Sequence, residues 1–327
     1  MLKNDMNKTI EELNAVFQEA LRTLWSVGPE GSFLVSSLNS SKFVQHRFDS
    51  NIPTGSAAYD APQRTLVYHP DTPLDSLVHK IAHEGSHSLQ HHLVPECFAY
   101  SMFLSPLHRE AFLSDPKNLF LIPSDFMGAS IMTERLAHAT QLQIAFSLAE
   151  QGALGPMQDL EFLFKKTHDQ IRYFSKKLSN VKDDQPNRYK AGVRAFLATE
   201  HFDLQAPVQF YHDHFLNVLH TVVHGIAHAK LPPIPQDRFV RFDRESMLRL
   251  ADATGLNFWR LGSSYPPDIM ADVRRFSLER SGRITARKIE RINNSLGLPP
   301  IDQIPTLTEV LQKRTGSAPS PRLEEPA

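Results

Sequence analysis

The sequence predicts an α+β protein that is mainly helical. Apolar residues recur at helical spacing over much of the chain, as in Ile10, Leu13, Val16, Phe17, Ala20, Leu21 and Leu24. Strand signals are confined to a few short stretches, of which Ala57-Ala58-Tyr59 and Thr65-Leu66-Val67-Tyr68 are the clearest. Between these strands and Pro95, His83-Glu84-Gly85-Ser86-His87 forms an H-E-x-x-H sequence inside a predicted helix.

Taken in order, Asn7 to Val27 reads as an amphipathic helix. Gly28 to Ser41 holds a short apolar patch among turn formers, and Lys42 to Phe48 is a candidate strand. The two clearest strands are joined by a turn at Asp60-Ala61-Pro62-Gln63. Thr72-Pro73-Leu74-Asp75 reads as a helix start, with Thr72 as N-cap, Pro73 at the first helical position and Asp75 as an N3 carboxylate. That helix carries Leu77, Val78, Ile81, Ala82 and Leu89, runs to about His92 and ends before Pro95. Glu96 to Leu104 and Leu107 to Phe112 read as short helices broken at Pro106. Asp115 to Gly128 is loop-like, with Pro116 and Pro123, and a long helix follows from about Ala129 to Gln151. Asp159 to Lys177, Tyr189 to Thr199 and Val208 to Lys230 read as helices, with a polar linker at Ser179 to Pro186.

Leu231-Pro232-Pro233-Ile234-Pro235 is the clearest break. It separates residues 1–230 from a helical segment, 231–313, with helices at Arg244 to Thr254, Pro267 to Ser281, Thr285 to Leu296 and Leu307 to Lys313. Residues 314–327 read as a disordered tail. The chain has no internal repeat.

Of 327 residues, 41% are apolar and 22% charged, and the formal net charge is −1. Nothing in that balance favours nucleic acid or an acidic membrane surface as a partner. The basic pairs Lys165-Lys166 and Lys176-Lys177 read as a solvated face. Cys97 is the only cysteine, so no internal disulfide can form, and it reads as a small buried apolar residue. Met1 to Trp25 mixes charged and apolar residues without the long apolar run of a signal peptide, and no stretch reads as a membrane span. A soluble cytoplasmic protein is the expectation; a substrate of signal-less export would look alike.

The chemistry concentrates at residues 83–87. Histidines four apart lie on one helical face and can hold one metal ion, while Glu84 can polarise a water on it. Sixteen histidines make a chance match commoner than usual, so the flanking strands and helix start matter. A catalytic zinc takes a third protein ligand. The extended motif with a histidine six residues on is excluded, because position 90 is Gln90 and position 93 is Leu93. His79 and His91 continue the stripe, but fourfold steps drift around the helix, so four histidines cannot converge on one ion. The third ligand should come from another segment. Glu134, on the long helix, is the candidate; His138, one turn on, can hydrogen-bond a ligand, and Glu96 and Glu110 are the competing carboxylates. His220, His224 and His228 form a second stripe without an intervening glutamate. A deformylase-like site is set aside, because its ligand cysteine would lie upstream and Cys97 lies downstream.

From Ala58 to about Tyr211 the chain resembles the gluzincin type of zincin metallopeptidase, and more narrowly a family of bacterial metallopeptidase domains of unknown substrate. The resemblance rests on Tyr59-Asp60, on Leu66-Val67-Tyr68, on the run Leu77 to Gln90 containing the motif, and on Glu134-Arg135-Leu136-Ala137-His138-Ala139. Arg194-Ala195-Phe196-Leu197 and Phe210-Tyr211 are weaker echoes. It covers under half of the chain. It implies a small mixed sheet over the H-E-x-x-H helix, with a mainly helical lower half. It also implies Glu134 as third zinc ligand, and a substrate strand pairing near Thr65 to Tyr68. His138 stands where an acidic residue often follows in such families.

The resulting expectation is a zinc-dependent metallopeptidase acting on a peptide or protein. His83, His87 and Glu134 are the metal ligands, and Glu84 is the general base and acid. Tyr211, His212, His214 and His220 are candidates to support the oxyanion. Two rivals are a non-catalytic helical interaction protein on the same scaffold, and a regulatory or toxin-type protease whose residues 231–313 select one partner.

Overall fold

Thr9 begins the first helix by accepting the backbone N–H of Glu12, while the Glu12 carboxylate accepts the N–H of Thr9 at 2.7 Å. This is a computed structural model, and it describes residues 9–40, 45–150, 205–228, 231–253 and 282–316. Helix α1 (Ile10–Ser26) buries Leu13, Phe17, Ala20 and Leu24 on one face. Gly28, at φ 113°, turns the chain, and Pro29 opens α2 (Pro29–Ser40). The sequence reading expects only an apolar patch among turns here. The helix forms because Leu34, Val35 and Leu38 make a buried stripe and Pro29 occupies a position with no N–H to satisfy. The hairpin is tight: a Cβ at Gly31 would lie 2.0 Å from the carbonyl oxygen of Leu24.

Three short strands follow: β1 (Gln45–Phe48), β2 (Ala57–Asp60) and β3 (Thr65–Tyr68). Their order is β1-β3-β2, with β1 parallel and β2 antiparallel to β3, so the small sheet is mixed. Strand β3 is therefore central and buried along its length, with both backbone edges engaged. This corrects the expectation that Thr65 to Tyr68 offers an edge to a substrate strand; among the described residues the edges of this sheet are β1 and β2.

Helix α3 (Leu74–Leu93) carries the motif. Its N-cap is Pro73 and not Thr72, whose hydroxyl is buried without a partner, so Asp75 falls in the first turn one place earlier than expected. Leu77, Val78, Ile81 and Ala82 pack with Leu66 and Tyr68 of the sheet and with Phe17, Leu24, Leu34 and Leu38 of α1 and α2. Gly85 is where α2 crosses: a Cβ there would lie 3.2 Å from Leu38 Cδ1.

A 3₁₀ turn at Pro95–Phe98 leads to α4 (Ala99–Leu104) and α5 (Arg109–Ser114). Residues 115–128 are not all loop: Phe120–Leu121 form β4, and α6 (Pro123–Glu150) starts six residues before the predicted Ala129. Pro123 sits in a first turn, where its missing N–H costs nothing. Helix α7 (Gln205–Ala227) covers the predicted helix at 208–230 as far as Ala227, and residues 229–230 lie outside the described residues. The predicted helices at 159–177, 189–199 and 267–281 lie outside the described residues, as do the linker, both basic pairs, residues 194–197 and most of the tail.

The chain beyond the Pro-rich break contributes to the same core as α4 to α6. Strand β5 (Phe239–Val240) pairs in parallel with β4. Phe242, Met247 of α8 (Arg244–Ala253), Ile292 of α9 (Gly282–Ser295) and Leu307 of α10 (Leu307–Thr315) are buried beside Phe103, Phe120 and Phe126. Buried Asp125 accepts the N–H of Phe242 at 2.8 Å, and Arg238 and Arg314 donate to backbone carbonyls of the loop at Asp115 to Asn118. No helix among the described residues is long and apolar enough to cross a membrane.

Phe120 contacts the rings of Tyr100, Phe103, Phe112 and Phe239 and is 1% exposed. Phe120→Ala should lower the unfolding free energy by about 3–5 kcal/mol in urea titration, from lost burial plus the cavity left behind.

Candidate metal centre

Helix α3 places His83 directly below His87 on one face, and α6 crosses that face with Glu134. Nε2 of His83 and Nε2 of His87 are 3.2 Å apart. Oε2 of Glu134 lies 3.4 Å from the first and 3.5 Å from the second. Four ligands held tetrahedrally at about 2.0–2.2 Å from an ion are separated from one another by about 3.3–3.6 Å. The observed triangle matches three vertices of such a shell, so two imidazoles and a carboxylate can hold a metal ion here. Glu96, buried, and Glu110, exposed, do not join the group.

The hydrogen bonds around His87 set its donor atom. Its Nδ1 lies 2.8 Å from Oε1 of Gln90, whose amide NH₂ donates to the carbonyl of Thr133 at 3.0 Å. An amide oxygen only accepts, so Nδ1 carries the proton and the Nε2 lone pair of the neutral ring faces His83 and Glu134. No such partner exists for His83, whose Nδ1 is buried and unpaired.

Charge in the metal-free site follows from this packing. Burial alone disfavours a charged His87, but the charge and hydrogen bond of Glu134, then Glu84 and Gln90, overcome it and push its pKa up to about 9. Burial likewise opposes ionisation of Glu134, and the two imidazoles reverse it, holding the carboxyl well below its usual range. His138 goes the other way: burial and the adjacent His83 charge lower it to about 3.

His138 does not hydrogen-bond a proposed ligand. Its ring lies 4.4 Å from that of His83, and its nitrogens face Gln141 and the hydroxyl of Tyr211, at 3.3 and 3.4 Å. Tyr211 arrives from α7; burial and then the charge of Glu134 raise its pKa, keeping the phenol protonated. Of the three oxyanion candidates whose side chains are described, Tyr211 is the one brought to this cluster. His214 and His220 are exposed, and the side chain of His212 lies outside the described residues. His224 and His228 are also exposed, with rings 4.1 Å apart.

Glu84 is half-buried on α3, and its charge raises the pKa values of His87, Tyr68 and Tyr211. His91 is engaged by the hydroxyl of Tyr59 at 2.8 Å, while His79 is buried with both ring nitrogens unpaired. Neither joins the three-donor group. Gln90 has no role in the sequence reading beyond excluding a longer motif; its position three residues after His87 on a helix is the available signal.

The folded-state pKa of His87, about 9, exceeds its ordinary 6.5, so in metal-free protein protonation stabilises the fold fully below pH 6.5 and that contribution is lost as pH rises through about 9. Thermal unfolding of metal-free protein should show that decline, and His87→Gln should flatten it. Loading a divalent metal near pH 7.5 should release about one proton, read by calorimetry in buffers of different ionisation enthalpy. Comparisons with protein-family models, with curated proteins and with solved structures find no match, so function must be inferred from the chemistry of these side chains.

Proposed function

We propose that this chain is a zinc-dependent metallopeptidase of zincin-like organisation that hydrolyses peptide bonds. The observation that carries the proposal is the donor triangle of His83, His87 and Glu134, built to tetrahedral spacing with Glu84 on the same helix. Two neutral imidazoles and one carboxylate are the ligand set of a borderline ion such as zinc, and three protein ligands leave a vertex open. A bound zinc ion would supply Lewis acidity, activating a water and polarising a carbonyl.

The chain's own groups supply the remaining chemistry. Glu84 takes a proton from the attacking water and delivers it to the leaving nitrogen. Tyr211, held protonated by burial and neighbouring carboxylates, donates a hydrogen bond to the developing oxyanion. The half-buried Glu84 also separates this reading from a purely structural metal site, which has no use for a carboxylate between its ligands. An open vertex and a general base fit a peptide or protein substrate; they do not select among sequences.

Purified protein should hold near-stoichiometric zinc, and His87→Ala and Glu134→Ala should each lose it on metal analysis. Zinc retained in Glu134→Ala would move the third ligand elsewhere. Glu84→Gln should keep the ion and lower peptide hydrolysis by about 10²–10⁴-fold. Tyr211→Phe should lower kcat by about 10²–10³-fold with KM little changed.

A further inference from the structure

We infer that Gln90 is a positioning residue that presents His87 to the metal and ties the two ligand-bearing helices together. The inference rests on the metal-site reading and deepens it. Gln90 is fully buried on α3, and its amide has two engaged ends. The NH₂ donates to the carbonyl of Thr133, the residue immediately before Glu134 on α6. A carbonyl only accepts, so this bond fixes which way the amide faces. The oxygen must then accept the proton of His87 Nδ1, at 2.8 Å, and the lone pair of His87 is aimed at the donor triangle.

One side chain therefore meets two requirements of a metal site: the tautomer of a ligand from one helix and the spacing to a ligand on the other. Outer partners of this kind hold a ligating imidazole in its orientation, and their loss lowers metal affinity by about 10–100-fold. His83 has no equivalent, its Nδ1 being buried and unpaired, so the pre-set orientation is confined to the His87 side. Thr133 lies within α6, where its hydroxyl donates to the carbonyl of Ser130 at 2.6 Å.

Two substitutions separate the two bonds. Gln90→Met keeps length and volume and removes both. Gln90→Glu keeps an acceptor for His87 Nδ1 and, when ionised, offers no donor to Thr133. The test is zinc affinity of the full chain, by competition with a chromogenic chelator, together with the visible spectrum of cobalt-loaded protein. Gln90→Met should bind zinc about 10–100-fold more weakly with an altered cobalt spectrum, and Gln90→Glu should recover part of that loss. Wild-type affinity and spectrum in folded Gln90→Met would overturn the inference while leaving the metal site intact. A wild-type chain that binds neither ion would overturn the site reading itself, and this inference with it. Should Gln90→Met fail to fold, long-range proton–nitrogen NMR of zinc-loaded wild-type protein decides the matter. His87 bound to the ion through Nε2 with its proton on Nδ1 supports the positioning role, and binding through Nδ1 refutes it.

Discussion

Helices α3 and α6 cross with polar groups facing each other in a buried seam, and the rest of the site depends on that crossing. Burying His87, Gln90 and Thr133 beside a half-buried Glu134 is costly unless each polar atom finds a partner. The seam meets that demand through a chain of contacts from the Thr133 carbonyl through Gln90 and His87 to Glu134. Truncating one member would leave another buried and unpaired, which costs more than an average hydrogen bond contributes. The seam also specifies register, because sliding α6 by one residue would replace Glu134 with Thr133 or Arg135.

Two apolar clusters hold the seam from either side. One joins α1, α2, the sheet and α3, with Ile144 and Leu148 of α6 reaching into it. The other joins α4, α6 and α7 to the residues after the Pro-rich break. Helix α6 contributes to both, so the carboxylate at its middle is placed by packing at both ends. The negative charges of Glu134 and Glu84 also shape the neighbourhood, keeping Tyr211 a proton donor and favouring a cation between the imidazoles.

Much of this was legible in the chain because it is local. An H-E-x-x-H motif within an apolar-patterned helix places two imidazoles on one face without knowledge of the rest of the fold. The hairpin of β2 and β3 follows from its turn residues. Glu134 needed a further step, a second helix crossing the first, and its choice over Glu96 and Glu110 drew on helix context and on a family resemblance. What was not legible is non-local. The order β1-β3-β2 depends on where β1 docks, so a strand that looked like an edge is central. The α2 helix was hidden behind Gly28, Pro29 and Gly31, which read as turn formers but serve as a break, a first turn and a close helix contact. Gln90 was invisible as a partner because its role depends on the direction of one amide toward a carbonyl 43 residues away. The early start of α6 was masked by Pro123, a residue that breaks helices inside but begins them well.

The central claim is that two imidazoles from α3 and one carboxylate from α6 share a single ion. X-ray absorption spectroscopy of the zinc-loaded protein tests it most directly. The account predicts a four-coordinate shell of nitrogen and oxygen at about 2.0–2.1 Å, with the outer-shell scattering of two imidazoles. A six-coordinate all-oxygen shell, or the signature of a single imidazole, would contradict it.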